Sequence, residues 1–249
     1  LDPATEGQEL TVRSIKDTTG RFALRPHFEA KELDSECERL IASFLRKRHG
    51  EVRFPIVTDD LAVLIEEHAD SLDSYADLSD LGDDVEGMTE FFADRAPAVS
   101  ISARLADDPR RENRLRTTLT HEFGHVHFHR YLWDEKLSTR RLFGREDPTN
   151  KAICKRGTIL DAMSCDWMEW QAGYVSGALL MPASHVRRVV DAYCEPRGLH
   201  GRVPVASTHG QALIESLMQA FAVSEDAARV RLIKLDLLTQ SDRQLQLFG

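Results

Sequence analysis

From Glu29 to His49 the apolar positions Leu33, Cys37, Leu40, Ile41, Phe44 and Leu45 recur three and four residues apart. That spacing lines one face of a helix, and Gly50 supplies its left-handed stop. Thr58, Asp59 and Asp60 open a second helix, with Leu61, Leu64, Ile65 and His68 on one face. Between Ser71 and Leu105 the period changes. Leu72, Tyr75, Phe91, Phe92 and the alternation Val99-Ser100-Ile101-Ser102, punctuated by Gly82, Gly87 and Pro97, predict short strands. Asp108 as N-cap, with Pro109 at the first helical position, starts a long helix through about Leu132. Residues 134–160 are polar, basic and turn-rich, and predict a mobile surface loop. Helical patterning returns from about Asp166 to Met181, where Pro182 ends it, and again over Ala183–Cys194, Gln211–Phe221 and Ser224–Leu237. Residues 1–25 hold no sustained period and predict a loose tail.

Composition narrows the class without touching chemistry. The chain has 249 residues, 42% hydrophobic and 29% charged, which fits one elaborated globular domain or a domain with a small appendage. Its apolar stretches, such as Ala178–Met181, fall far short of the roughly 18 residues of a membrane span, so no membrane partner is expected. The opening residues, Leu1-Asp2-Pro3-Ala4-Thr5-Glu6, lack the basic and apolar regions of a signal peptide. Cys37, Cys154, Cys165 and Cys194 form no CxxC pair and read as reduced thiols of a cytoplasmic protein. With 32 Lys+Arg against 41 Asp+Glu, the net charge of −9 disfavours standing contact with nucleic acid, which runs on phosphate neutralisation.

His121-Glu122-Phe123-Gly124-His125 is an HExxH pattern inside a segment already read as helix. Histidines four residues apart share a helix face about 6 Å apart along the axis, so each can offer one nitrogen to a single Zn²⁺. The glutamate between them lies beside the metal, where it can take a proton from the bound water. A catalytic zinc needs a third protein ligand and one open position. His129 lies roughly 12 Å from His121 along an unbroken helix, too far to share the ion. Glu169 is the better third ligand. Around its helix, Glu169, Ala172, Gly173, Ser176 and Gly177 share one side, and those small residues allow close packing on the HExxH helix.

HEFGHVHFH followed by EWQAGYVSGALLMP resembles the ImmA/IrrE group of bacterial metallopeptidases, whose pattern is an HExxH helix and then an E-x-[E/Q]-A helix ending in LLMP. The resemblance covers about Asp60 to Pro182 and continues weakly through Phe221–Ser224 and Ala228–Leu232. It implies His121, His125 and Glu169 as zinc ligands, Glu122 as general base, and a helix-turn-helix repressor as the protein cleaved or inactivated. Such action belongs to DNA-damage, mobile-element or phage-defence responses. Gly173 and Val175-Ser176 depart from the family's usual Asn and Phe-Ala. Gly173 also stands where thermolysin-like enzymes place an Asp, so Asp161 or Asp166 is the candidate to orient a ligand histidine. About 55 residues follow Cys194, too few for the large sensor domain of the radiation-response members.

The fold class expected is therefore α+β: a mostly helical metallopeptidase with a small β-sheet, its HExxH helix packed on a second ligand helix. The expected division is a tail over 1–25, a zincin-like domain over 26–198, and a helical, helix-turn-helix-like subdomain over 199–249. The function expected is narrow-specificity zinc endopeptidase action on a repressor. The alternative is a partner- or DNA-binding regulator with a structural metal site, against which an intact Glu122 argues; small-amide hydrolysis is a third reading. Tyr174, His127, His129 and Tyr131 are candidates to stabilise the oxyanion, with packing favoured for Tyr174 and a structural role for His129. Cys154 and Cys165 flank the approach to Glu169 and can fill the open zinc position, although small buried thiols are the blander reading. Arg110, Arg111, Arg114 and Arg116 read as a solvated helix face. Arg229, Arg231 and Lys234 would face DNA if the last helices were a reader, but Glu225, Asp226 and Asp236 offset them, which favours a packing or docking role.

Overall fold

The computed structural model describes residues 13–142, 150–155 and 166–240, with residues 140–142 as backbone alone. β1 (Arg13–Lys16) and β2 (Leu24–His27) form an antiparallel hairpin where a loose tail was expected. Strands of four residues are too short to show a period. The turn is organised instead by the buried Asp17 carboxylate, which accepts from Thr19 N at 2.9 Å, Phe22 N at 2.9 Å and Trp167 Nε1 at 3.0 Å. Residues 1–12 of that expected tail lie outside the described residues.

α1 (Ala30–His49) buries the six apolar positions that its spacing singles out. Glu29 and Glu32 form a reciprocal capping box at its start, and Gly50 ends it at φ 79°. α2 (Thr58–Glu66) buries Leu61, Leu64 and Ile65; His68 lies just beyond its end. β3 (Ser71–Ala76), β4 (Val85–Glu90), β5 (Ala98–Ser102) and β6 (Lys151–Lys155) make a four-stranded sheet in the order β3-β5-β4-β6. β3 runs parallel to β5, and the other pairs are antiparallel.

A short α3 (Ala103–Ala106) and a tight turn over Pro109–Arg111, capped by Asp108, lead into α4 (Glu112–Leu142). This 31-residue helix overruns the expected end near Leu132. Part of the expected mobile loop over 134–160 is thus helix, and another part is β6. The physical reason is a second apolar cluster in which Leu132 and Trp133 pack with Phe91, Ala152, Trp167 and Met168, with Leu137 against its edge. Burying that cluster carries the helix through its polar residues. Trp133 stacks on Phe91 at 5.1 Å between ring centroids.

α5 (Trp167–Leu180) starts at Asp166, whose side chain accepts from Met168 N, and is followed by α6 (Ala183–Cys194). β7 (Val203–Pro204), α7 (Thr208–Phe221), α8 (Glu225–Lys234) and β8 (Leu238–Thr239) are the last elements among the described residues, with β7 and β8 paired in parallel. α7 and α8 share one apolar core with α1, α4 and α5. No helix among the described residues is long and apolar enough to cross a membrane.

Charged groups expected on the surface serve this packing. Arg116 is buried and donates to the carbonyls of Ile56 at 2.7 Å and Phe221 at 3.2 Å, and also to that of Ala222, so it is no part of a solvated face. Arg110 and Arg111 pair with Asp108, and Arg114 pairs with Glu86. Arg231 is buried as well. Its Nε donates to Met181 O at 2.9 Å, and Nη2 pairs with Asp34 at 2.7 Å, while Tyr174 donates to the same carboxylate at 2.9 Å. Arg229 pairs with Asp226 at 2.8 Å, and the Lys234 ammonium lies over the Tyr174 ring at 5.2 Å. The three cations of the DNA-reader alternative are thereby engaged within the molecule.

α4 and α5 approach each other closely. A Cβ added at Gly124 would lie 3.1 Å from Ala172 Cα and 3.4 Å from Val175 Cβ. Ser176 Oγ meets Thr120 Oγ1 at 2.8 Å and donates to Thr117 O at 3.0 Å, so two of the small residues, Ala172 and Ser176, form the contact. Gly177 faces Arg231 instead. Gly124→Ala is expected to destabilise the protein by about 1 kcal/mol, read from the denaturant midpoint. Overpacking against backbone costs about 1–3 kcal/mol and outweighs a helix-propensity gain of about 1 kcal/mol.

Candidate metal centre

The close helix pair brings three metal-ligating side chains together. His121 Nε2 and His125 Nε2 lie 3.2 Å apart; Glu169 Oε2 is 3.2 Å from the first and Oε1 is 3.4 Å from the second. Two nitrogens bound to one tetrahedral zinc at about 2.0–2.1 Å stand about 3.3 Å apart, so this spacing is that of a ligand set before any adjustment. Both histidines are fully buried, and the Glu169 side chain is 17% exposed, which leaves the set open on that side. Burial alone would raise the Glu169 carboxyl, but His125 and His121 beside it outweigh that and hold it well below the ordinary carboxylate range. An ionised carboxylate and two imidazoles are the donors zinc takes. The residues present fit the ion.

Glu122 stands next to this set. Its side chain is fully buried and lies against β4, where a Cβ at Gly87 would fall 2.4 Å from Oε1. Thr89 Oγ1 donates to Oε2 at 2.6 Å, and the Cys154 thiol stands within hydrogen-bonding reach of the same carboxyl. Burial drives the carboxyl up to about 7, against the pull of His125 and the Thr89 hydroxyl. Because this lies above the ordinary 4.5, the fold favours the protonated form. The metal-free protein therefore keeps that stabilisation below about pH 4.5 and loses it as pH rises through about 7. Relative to Glu122→Gln, metal-free wild type should lose about 3 kcal/mol between roughly pH 4 and pH 8, because each pH unit between the two ionisation points weighs about 1.4 kcal/mol. Denaturant melts of both proteins across that range check this; parallel profiles would refute it.

His129 is not a ligand, in keeping with its distance along α4, yet it is tied to one. His125 Nδ1 lies 3.0 Å from His129 Nδ1, and His129 Nε2 lies 3.0 Å from Gln171 Oε1, whose amide nitrogen faces Pro26 O at 3.4 Å. One proton arrangement satisfies every link. Gln171 donates to Pro26, His129 donates from Nε2 to Gln171, and His125 donates from Nδ1 to His129, leaving the His125 Nε2 lone pair aimed at the ligand set. Burial holds His129 well below the usual histidine range, which keeps it neutral as the relay requires. His129→Phe should weaken zinc affinity about 10–100-fold at unchanged ligand identity, as loss of a supporting hydrogen bond does. Competition with a chromophoric chelator measures it.

This corrects the expectation that Asp166 orients a ligand histidine: it caps α5 and pairs with Arg21 at 2.9 Å. Asp161 and Cys165 lie outside the described residues. Of the oxyanion candidates, Tyr174 is committed to Asp34 and His129 to the relay. His127 meets Glu36 at 3.3 Å and stacks on Phe123, and Tyr131 is half exposed beside the β1–β2 hairpin. Cys154, on β6 opposite Gly87, is buried, with its sulfur within 4.8 Å of ligating atoms of His121 and Glu122. The roles of Gly87, Thr89 and Gln171 escape the sequence reading. Gln171 sits in the quoted E-x-Q-A pattern, but nothing in the strand residues marks Gly87 or Thr89.

The fold and site together define an α+β protein with a candidate His-His-Glu metal site between two packed helices. No protein-family model matches the chain, and no curated protein matches it.

Proposed function

We propose that this chain is a zinc-dependent endopeptidase of narrow specificity, akin to the ImmA/IrrE metallopeptidases, that cleaves a helix-turn-helix repressor. The observation that carries the reading is the convergence of His121 Nε2, His125 Nε2 and Glu169 within 3.2–3.4 Å, beside a buried carboxylate outside that set. A purely structural site has no use for that carboxylate, which weighs against the regulator reading.

His121, His125 and Glu169 would hold the ion. When bound, zinc supplies Lewis acidity and a water of lowered pKa. Glu122 accepts the proton of the attacking water and returns it to the leaving amine. Thr89 fixes one carboxylate oxygen and leaves the other for that proton. Gly87 makes the room in which the carboxylate lies, and the His129–Gln171 relay keeps His125 in the tautomer that ligates. The repressor as substrate rests on the family resemblance alone.

Co-expression with a candidate helix-turn-helix repressor tests the reading. Cleavage by wild type and not by Glu122→Gln, with zinc bound in both, supports it. Repressor inactivated by both proteins without cleavage would replace the peptidase with the binding regulator.

A further inference from the structure

Cys154 stands beside the same ligand set, and the proposed chemistry makes no use of it. We propose that Cys154, Glu122 and His121 form a second metal site, selective for thiophilic ions such as cadmium or excess zinc. Its occupation withdraws Glu122 from proton transfer. Metal binding there is independent of any activity; the inhibitory consequence rests on the peptidase reading above.

Four observations carry the site. The ligating atoms of the three residues all lie within 4.8 Å of one another. Ligands of a tetrahedral zinc with bonds of about 2.0–2.3 Å stand about 3.3–3.8 Å apart, so side-chain rotation closes the set. All three side chains are fully buried, and the Cys154 thiol stands within hydrogen-bonding reach of the Glu122 carboxyl, so the two donors already meet. The sheet fixes the juxtaposition: Gly87 pairs with Cys154 across β4 and β6, and its missing side chain is what lets Glu122 lie against the strand next to the thiol. The donor set itself selects the ion. Thiolate and imidazole favour zinc and cadmium over magnesium and calcium.

Coordination replaces the Cys154 S–H bond with a sulfur–metal bond, and the thiol proton, with any proton on the Glu122 carboxyl, leaves to solvent. His121 Nε2 faces the first set, so a second ion held at the same time must take Nδ1, which is buried without a hydrogen-bond partner, and displace its proton. That extra deprotonation makes the second ion the weaker one.

Cadmium titration of the metal-free full chain tests the site, read by equilibrium dialysis and by sulfur-to-cadmium charge-transfer absorption in the near ultraviolet. Wild type should take two ions, the weaker one bringing the sulfur absorption. Cys154→Ser should take one ion without that absorption, and Cys154→Ala should behave alike with an unchanged circular dichroism spectrum. Glu169→Ala should weaken the first ion yet keep the absorption. Sulfur absorption that survives in Cys154→Ser would come from Cys37, Cys165 or Cys194 and overturn the proposal. A single ion without sulfur absorption in wild type and variant alike would overturn it while leaving the first metal centre intact. Failure of wild type to take any ion would remove both. With the repressor as substrate, excess zinc should inhibit wild type and spare Cys154→Ser; equal inhibition would overturn the regulatory part.

Discussion

Glu122→Gln should keep its zinc and lose peptide hydrolysis by about 10²–10⁴-fold, the contribution of a positioned general base. An amide of the same shape fills the slot against Gly87 and still meets the Thr89 hydroxyl, so the packing is preserved while the proton acceptor is gone. The substitution also removes a buried ionisable group, and the protein should melt no lower than wild type at neutral pH. Single-turnover cleavage together with metal content by atomic absorption separates the outcomes. Near-wild-type cleavage would show that the base lies elsewhere. Loss of zinc with loss of activity would make Glu122 a ligand.

Glu169→Ala should cost the protein its metal. The carboxylate spans both histidines, with one oxygen toward each, and it is the one charge-neutralising donor of the set. Zinc binding to a complete protein site is worth about 10–16 kcal/mol, so one ligand of three carries about 3–5 kcal/mol, or roughly 10²–10⁴-fold in affinity. The fold should persist, because α5 is held on α4 through Ala172 and Ser176 rather than through Glu169. Chelator competition read beside far-ultraviolet circular dichroism makes the comparison. Wild-type affinity in the variant would remove Glu169 from the site.

The candidate ligands are legible in the sequence because each obeys a rule of local geometry. His121 and His125 share a face by helical pitch, and small residues on the Glu169 side of α5 announce a close neighbour. The apolar faces of α1 and α2 are legible for the same reason. What escapes is non-local. The extension of α4 depends on Phe91, Trp167 and Met168, distant in the chain, and no local period records them. The hairpin of β1 and β2 is organised by one carboxylate and by Trp167, 150 residues away. Arg116 reads as a surface cation because only the fold supplies its carbonyl partners, and the packing role favoured for the last helices takes its detail from Asp34 and Met181, distant in the chain. Helical pitch alone separates His129 from the ligands, but its part in the relay needs Gln171 from another helix.

The Arg231 contacts bear on how small a working version of this protein can be. The guanidinium of α8 holds the last turn of the ligand-bearing helix through Met181 O and meets Asp34 of α1. A chain cut at Phe221 would expose the floor beneath α5 and leave the part-buried Asp34 without its cation, a loss smaller than the roughly 3–5 kcal/mol of a fully buried pair with one member removed. The final helices therefore cannot be treated as a detachable module to be swapped between scaffolds. A fusion or reporter is better joined at a surface loop than in place of α8.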